Sequence, residues 1–375
     1  MISSVLTSRT AADLLHRLAT PLDPDAYLSL LNPRWGTRLR GVVERVEPVT
    51  DDAACLTIRP GRSWAGHRAG QFVTIGVDVD GVRHHRCYSI TTPEGPARTF
   101  RITVQATDGG LVSDHLVRRA GPGDVLQLSQ AEGDFTLPDP RVDGARERDP
   151  IDPPAPLLMI TGGSGLTPVL SMLRTLARRP GQHDVVLLHH ATERERCLHL
   201  DELEQLDAAH PWFRCTTTFT RPDGRPAPGT RLDAGRLEQL CPDWRSREIY
   251  ACGPEPLLRA VTEQCERAGR SDALHTERFV RSIPASRPDA DDVGTARFSM
   301  SGVDAPSDGA TNLLELAEGA GLAPASGCRM GICHTCSTRL EHGCVRDLRD
   351  GRLLEAGQHV QLCVTAAVGD VSIDL

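Results

Sequence analysis

The sequence predicts a multidomain protein of the α/β and β classes, with an antiparallel β-barrel, a parallel α/β domain and a small C-terminal domain. The length of 375 residues is more than one hydrophobic core usually serves. Short β-rich segments separated by Gly and Pro occupy the first part of the chain, and strands alternating with helices follow them. Four spaced cysteines near the C-terminus mark the third unit.

The composition is that of a globular protein, with 39% hydrophobic and 25% charged residues. A net charge of −8 argues against nucleic acid as the main partner. No run of apolar residues is long enough for a transmembrane helix. Residues 1–20 lack the basic cluster, apolar core and cleavage site of a secretory signal, so we expect a cytoplasmic protein.

Two Pro-rich, charged stretches, residues 138–156 and 281–292, lack apolar periodicity and are predicted to be linkers or exposed loops. They divide the chain into a helical N-terminal extension, a barrel, an α/β domain, a linker and a C-terminal domain. The predicted bounds of these five parts are 1–35, 36–140, 155–280, 281–293 and 294–375.

Each domain has its own strand pattern. The barrel strands are predicted at 39–46, 55–58, 71–77, 100–106 and 125–128. In the α/β domain, strands at 157–160, 185–188, 213–219 and 248–251 are separated by helical stretches, which indicates a parallel sheet. The last unit is predicted to contain a strand at 296–301 and a helix at 312–319.

Four of the twelve cysteines have the spacing of a metal centre. Cys328, Cys333 and Cys336 are spaced C-x₄-C-x₂-C, and Cys363 follows, which is the plant-type [2Fe-2S] spacing. A four-cysteine zinc site is the alternative, but zinc sites usually use two C-x₂-C pairs and only one is present. The spacing therefore favours an iron–sulfur cluster.

The segment 325–336 with Cys363 resembles a plant-type ferredoxin domain, and motifs upstream resemble the ferredoxin–NADP⁺ reductase superfamily. The resemblance extends over residues 36–375. It implies an FAD-binding β-barrel, a NAD(P)-binding α/β domain and a β-grasp ferredoxin domain. It further implies an oxidoreductase that carries FAD and a [2Fe-2S] cluster and is fed by NADPH or NADH.

The flavin motif is Arg86-Cys87-Tyr88-Ser89. By resemblance, Arg86 pairs with the FAD pyrophosphate, Tyr88 packs on the isoalloxazine and Ser89 hydrogen-bonds near N5. A guanidinium fork suits phosphate, and a flat ring suits a flat ring. The alternative is an ordinary strand end with a buried tyrosine.

Two further segments resemble flavin contacts of the family. The segment 110–113 resembles a helix start whose backbone amides contact the flavin phosphates, since amides at a helix N-terminus attract anions. The segment 133–137 resembles a barrel-ending strand beside the flavin. The residues concerned are Gly110, Leu111, Val112, Ser113 and Phe135.

A Gly-rich turn follows the strand 157–160 and opens a helix, with Thr167 as the predicted N-cap and Pro168 in the first turn. Its glycines permit close approach of backbone to pyrophosphate, although a plain tight turn is the alternative. By resemblance this turn receives NAD(P)H. The predicted contacts are Gly162, Gly163, Ser164, Gly165, Thr167 and Pro168.

The resemblance also places Cys252-Gly253-Pro254 beside the nicotinamide, with Cys252 near the hydride-donating carbon. The segment Glu277-Arg278-Phe279 resembles the one that closes over the flavin in this family, with a plain core residue as the alternative for Phe279. The residues predicted to act in catalysis are therefore Tyr88, Ser89 and Cys252.

Coenzyme choice depends on cations for the 2′-phosphate. Thr220-Arg221 resembles the Ser-Arg pair of NADPH-using relatives, and Arg194 and Arg196 are also available. Solvated loop charge is the alternative. We expect NADPH rather than NADH.

The resemblance implies electron flow from NADPH through FAD and the cluster to a partner protein, because a flavin exchanges both two electrons and one. Residues 25–28 and 31–35 resemble extensions on actinobacterial reductases that serve di-iron acyl desaturases. The expected partner is a di-iron fatty-acyl desaturase or hydroxylase, which can be membrane-bound. A Rieske-type ring-hydroxylating oxygenase is the alternative, and a redox sensor is an alternative of another class.

Overall fold

The computed structural model describes residues 39–79, 82–107, 110–138, 155–181, 183–279, 292–327, 331, 334–349 and 351–375. The predicted helical extension at 1–35, most of both predicted linkers, and Cys328 and Cys333 lie outside these residues. No helix in the described ranges is both long and apolar enough to cross a membrane.

The first domain is a closed antiparallel barrel of six strands and one helix, in the strand order β4-β3-β6-β1-β2-β5. A bridge between Ile90, just after β4, and Ile102 in β5 joins the two ends of this order. The elements are β1 (Arg40–Thr50), β2 (Ala53–Pro60), β3 (Phe72–Val79), β4 (Val82–Ser89), β5 (Phe100–Gln105), α1 (Leu111–Arg118) and β6 (Val125–Glu132).

The interior of the barrel is filled by β-branched and aliphatic side chains from five of the six strands, and Tyr88 of β4 packs against them. Leu56, Ile58, Ile75 and Ile102 have no exposed surface, as expected where alternate residues of a strand point inward. This packing fixes the register of β4, whose last residues carry the predicted flavin motif.

The second domain is a five-stranded parallel sheet in the order β11-β10-β7-β8-β9. Helices α2 and α3 pack on one face, and α4 and α5 pack on the other. The strands are β7 (Leu157–Gly162), β8 (Val185–Ala191), β9 (Phe213–Phe219), β10 (Glu248–Cys252) and β11 (Leu274–Glu277). The helices are α2 (Leu166–Leu176), α3 (Leu200–Ala209), α4 (Ala234–Leu240) and α5 (Glu255–Arg267).

Strand order in this sheet reverses next to β7, because β8 and β9 lie on one side of it and β10 and β11 on the other. Ligands of open parallel sheets bind at the carboxyl ends of the strands that flank such a reversal. The Gly-rich turn follows β7, and Cys252-Gly253-Pro254 follows β10. Both motifs therefore lie at this switch point.

The third domain is a mixed sheet with one helix packed across it, which is the predicted β-grasp arrangement. The order is β13-β12-β17-β14-β15, with β16 paired to β14. The elements are β12 (Gly294–Phe298), β13 (Val303–Ser307), α6 (Leu313–Gly319), β14 (Ser337–Asp347), β15 (Leu353–Glu355), β16 (His359–Gln361) and β17 (Thr365–Ile373).

The structure corrects three local predictions. The segment 133–137 is not a strand, because β6 ends at Glu132. Thr167 is not the N-cap of α2: a single 3₁₀ turn leads into the helix, Gly165 caps it, and the Thr167 hydroxyl donates to the Ser164 carbonyl at 2.9 Å. Asp292, at the end of the second predicted linker, is buried and pairs with Arg346 at 2.9 Å.

One arginine in the second domain is fully buried. Arg247 is 1% exposed, pairs with Asp184 at 2.9 Å and Asp243 at 2.7 Å, and donates to the Leu157 carbonyl at 3.2 Å. It thus ties the start of β7 to the loop before β8 and to the turn before β10.

We expect Arg247→Met to lower the free energy of unfolding by about 3 kcal/mol, because several hydrogen bonds to a buried charge are lost together. Arg267→Met is the matched control, since Arg267 is exposed and its surface pair with Glu263 contributes little to stability. Urea denaturation followed by tryptophan fluorescence measures both. Equal stability of the two variants would contradict this assignment.

Candidate functional site

A cavity of about 900 Å³ lies where the three domains meet. The barrel contributes the end of β4 and the start of α1, the second domain contributes the turn before α2 and the segment after β11, and the third domain contributes the start of α6 and Cys363. This volume is in the range of cofactor sites. The cavity thus brings together motifs that are far apart in the sequence.

All four residues of the predicted flavin motif line the cavity. The Tyr88 ring packs against the barrel core, and burial raises the pKa of its phenol, which stays neutral. The Ser89 hydroxyl is buried and has no hydrogen-bond partner among the described residues. The Arg86 guanidinium donates to the His85 carbonyl at 2.7 Å and to the Gly327 carbonyl at 3.3 Å.

The start of α1 lines the cavity through Gly110, Val112 and Ser113, whereas the Leu111 side chain is half exposed and lies outside it. Ser113 Oγ donates to the Gly110 carbonyl at 3.1 Å. A Cβ at Gly110 would overlap the hydroxyls of Thr107 and Ser113. Glycine therefore lets the chain fold tightly at the helix start, where unpaired amides attract anions.

The Gly-rich turn and the segment after β10 pack directly against each other. A Cβ on Gly162 would lie 2.8 Å from Pro254 Cδ, and one on Gly165 would overlap the Cys252 carbonyl. Gly163 has φ of 53°, in the left-handed region that favours glycine. Ser164 and Thr167 line the cavity, and Pro168 is buried in the first turn of α2.

Cys252, which is predicted to lie near the nicotinamide, is not among the residues that line the cavity. Its side chain has no exposed surface and packs in the core with Phe135 and Tyr250. Burial raises the pKa of the thiol well above its usual range, with a smaller contribution from Glu277. Phe135 does line the cavity, and its ring contacts Tyr250 edge-on at 5.4 Å between centroids.

Glu277 is a cavity residue to which the sequence analysis assigned no separate role within the segment 277–279. It is the last residue of β11, pairs in register with Cys252, and lines the cavity next to Arg278 and Phe279. One of its carboxyl oxygens is buried without a hydrogen-bond partner in the described part of the chain. Burial raises its pKa to about 8, so the carboxyl is protonated at neutral pH.

Helix α2 connects the Gly-rich turn to the barrel through side chains along one face. Ser171 Oγ donates to the Thr92 carbonyl and Arg174 Nη1 to the Thr91 carbonyl, both at 2.6 Å. The Glu94 amide donates to Thr175 Oγ1 at 3.0 Å. Because residues 91–94 follow the flavin motif directly, these bonds set the distance between that motif and the Gly-rich turn.

Glu202 on α3 completes this interface by a double hydrogen bond with Arg174 at 2.7 and 2.6 Å. Burial by itself raises the pKa of Glu202, but hydrogen bonds from His199 and Arg174 outweigh it and lower the pKa to about 2. His199 in turn contacts Thr103 of the barrel at 2.8 Å between Nε2 and Oγ1. The Glu202 carboxylate therefore stays ionised at neutral pH and keeps its hydrogen bonds to Arg174, which in turn bonds the barrel.

The three arginines predicted for a 2′-phosphate differ in their environment. Arg194 pairs with Glu204 at 2.9 Å and Arg196 with Asp52 at 2.5 Å. Arg221 follows β9, is exposed, and makes no side-chain ion pair within the described ranges. Its amide donates to the Thr192 carbonyl at 2.7 Å, which places it beside the end of β8. Of the three, Arg221 is the guanidinium available to a ligand.

Two of the four predicted cluster ligands are described, and both are buried. Cys336 and Cys363 are each 4% exposed, and the Leu362 amide donates to the Cys336 carbonyl at 3.2 Å. Cys363 also lines the cavity. Because Cys328 and Cys333 lie outside the described residues, the complete four-cysteine set stays a prediction.

The cavity fits FAD. It offers a guanidinium and a helix start for phosphate, apolar rings for a planar ring, and the unpartnered Ser89 hydroxyl for a polar ring atom. Two thiols brought together from separate segments likewise suit an iron–sulfur centre. When bound, FAD accepts a hydride and releases its two electrons singly.

Comparison with known proteins identifies the same three units in the same order. The oxidoreductase FAD-binding domain matches residues 41–137, the oxidoreductase NAD-binding domain matches 159–263, and the 2Fe-2S iron–sulfur cluster binding domain matches 300–368. These ranges lie within the predicted domains 36–140, 155–280 and 294–375, whose outer limits stay predictions.

The chain is 43% identical over 364 residues to an NADPH oxidoreductase of Mycobacterium tuberculosis, covering 96% of this chain and 90% of the relative. It is 30% identical to the glycine betaine monooxygenase reductase subunit of Chromohalobacter salexigens, covering 82% and 87%. Among solved structures, phthalate dioxygenase reductase has the same fold, with a TM-score of 0.59 at 23% identity and coverage of 90% and 98%.

The protein therefore belongs to the ferredoxin–NADP⁺ reductase superfamily, as an oxidoreductase that uses NAD(P)H, FAD and a [2Fe-2S] cluster in a C-terminal ferredoxin domain.

Proposed function

We propose that this reductase takes electrons from NADPH and delivers them singly to an oxygen-activating partner, and that this partner is a di-iron fatty-acyl desaturase or hydroxylase. The observation that carries the reductase chemistry is the cavity shared by all three domains, where Cys363 lines the same space as Tyr88 and Ser89. A cluster ligand beside the flavin site shortens the path from one redox centre to the next.

In this proposal the residues at the cavity have different roles. Arg86 and the amides at the start of α1 hold the FAD phosphates, and Tyr88 and Phe135 cover the ring. Ser89 supplies a hydrogen bond at the reacting edge, since its hydroxyl is buried and has no protein partner in the described ranges. Cys252 has a positioning role in this proposal. Its carbonyl lies against Gly165 of the Gly-rich turn, and its buried thiol does not face the cavity.

Two observations bear on the partner. Relatives named as reductase subunits of glycine betaine monooxygenase and, at 27% identity, of stachydrine N-demethylase support an oxygenase-type acceptor. The ferredoxin domain, residues 294–375, has six Arg and ten Asp plus Glu, a balance of 6 − 10 = −4. An acidic domain favours a partner with a basic docking face. The desaturase assignment is supported by the resemblance of residues 25–35, and a Rieske-type oxygenase is the second candidate.

The partner is identified by reconstitution. The purified reductase and NADPH are combined with a di-iron acyl desaturase or a Rieske oxygenase from the same cell, and product formation is measured. We expect product when the wild-type reductase is combined with the desaturase. The Cys328→Ser variant should give no product, because it should lose the cluster and its visible absorbance but keep ferricyanide reduction through FAD. Product with the oxygenase alone would overturn the desaturase assignment. A Cys328→Ser variant with an intact cluster would refute the ligand assignment.

We expect Glu277 to impose an alkaline limit on activity. Its carboxyl is neutral below pH about 8 and ionises above it, and a carboxylate in the cavity repels the phosphates of the coenzymes. The wild-type kcat/KM for NADPH should fall about tenfold one pH unit above that pKa. Glu277→Gln should remove this fall, whereas Glu266→Gln, on an exposed face of α5, should retain it. The same fall in Glu277→Gln would assign it to another group.

Arg221 should select NADPH over NADH. We expect Arg221→Ala to raise the KM for NADPH about tenfold, because a hydrogen-bonded charge pair with the 2′-phosphate is lost. The KM for NADH should not change. Arg225→Ala is the control, since Arg225 is also exposed after β9. Steady-state kinetics with both coenzymes measure the effect, and an equal rise for NADH would argue against a 2′-phosphate contact.

A further inference from the structure

The predicted cluster ligands lie on two separate segments of the ferredoxin domain. Cys328, Cys333 and Cys336 fall within nine consecutive positions of the sequence, and Cys363 follows β16. Backbone pairing joins the segments at one end, where Ser337 pairs with Gln361 and the Leu362 amide donates to the Cys336 carbonyl. This pairing leaves the middle of the loop, around Gly331, to be held by other contacts.

Two side chains, those of Gln361 and Arg349, hydrogen-bond to the same backbone oxygen in this part of the chain. The Gly331 carbonyl accepts a hydrogen bond from Gln361 Nε2 at 3.0 Å and another from Arg349 Nη1 at 3.1 Å. Gly331 stands between Cys328 and Cys333, and Gln361 stands two residues before Cys363. The three residues Gly331, Arg349 and Gln361, here called the carbonyl clamp, thus connect both ligand segments to the turn after β14.

We propose that Gln361 and Arg349 are positioning residues for the [2Fe-2S] cluster, and that the carbonyl clamp sets the reduction potential and retention of the cluster by fixing the ligand loop. This inference goes beyond the proposed function, because it concerns the properties of the cluster and not the identity of the acceptor.

Each member of the clamp is held by burial, by an ion pair or by its backbone conformation. Gln361 is 8% exposed. Arg349 is held by Asp347, which is 1% exposed, through Nε–Oδ1 and Nη2–Oδ2 contacts of 2.9 and 2.5 Å. Gly331 has φ of 72°, and a Cβ there would lie 2.9 Å from Arg349 Nη1 and 3.0 Å from Val364. The close approach of the donors therefore depends on glycine at this position.

A fixed loop matters because hydrogen bonds from backbone amides to the sulfurs, together with nearby charge, tune the potential of such clusters. Reduction adds negative charge, so donors and a guanidinium beside the loop stabilise the reduced form. Loosening the clamp should therefore lower the potential. Exposure of the loop should also speed removal of iron by a chelator.

The first test uses Gln361→Met in the full-length protein, because this change removes one donor at similar volume and strands no charge. We expect a normal iron content and normal ferricyanide reduction through FAD. The equilibrium constant for cluster reduction should fall about tenfold, which is about 59 mV for one electron. We also expect altered electron paramagnetic resonance of the reduced cluster and about tenfold faster iron loss to a chelator. Gln358→Met is the control, since Gln358 is exposed in the same segment.

The second test changes the other donor. Arg349→Met strands the buried Asp347 carboxylate, so it is paired with Asp347→Asn to keep the domain folded. We expect the same direction of change, and Arg339→Met is the control because Arg339 is exposed. Potential, resonance spectrum and iron loss that match wild type in both clamp variants would overturn the proposal. These readouts require no acceptor, so they are independent of the partner assignment.

Discussion

The geometry of the site depends on the polar contact between helix α2 and the barrel segment 91–94. One end of α2 carries the Gly-rich turn, and Ser171, Arg174 and Thr175 further along it bond to the backbone just after Ser89. These hydrogen bonds join one face of the helix to the barrel backbone at three points. The pairing of Arg174 with the ionised Glu202 adds a charge-assisted bond. The coenzyme turn and the flavin motif are thus held at a set separation.

Close approach of backbone to backbone is the second constraint on the site. At the switch point of the parallel sheet, Gly162 and Gly165 touch Pro254 and the Cys252 carbonyl, and no side chain fits between them. The same requirement recurs in the ferredoxin domain, where Gly331 lies against Arg349 and Val364. Glycine serves different ligands in the two places, but in both it allows polar groups to converge from separate elements.

The third domain completes the site. Cys363 lies at the cavity, and Arg86 of the barrel bonds the Gly327 carbonyl at the start of the ligand loop. A guanidinium assigned to the flavin phosphates is therefore also in contact with the cluster segment. The buried carboxyl of Glu277 lines the same cavity from the second domain. Each domain therefore supplies part of the lining of one shared cavity.

The sequence by itself determined the order of the domains, the cluster spacing and the positions of the Gly-rich turn and of Arg86–Ser89, because these depend on local spacing and residue type. Only the tertiary structure decided which side chains face the cavity. Cys252 is buried in the core while its register partner Glu277 lines the cavity, since β10 lies inside the sheet and β11 is its edge strand. Thr167 lies inside α2 because a 3₁₀ turn extends the helix backward. The hydrogen bonds from Arg349 and Gln361 to Gly331 join residues up to thirty positions apart in the sequence. A local sequence motif cannot predict contacts over such a separation.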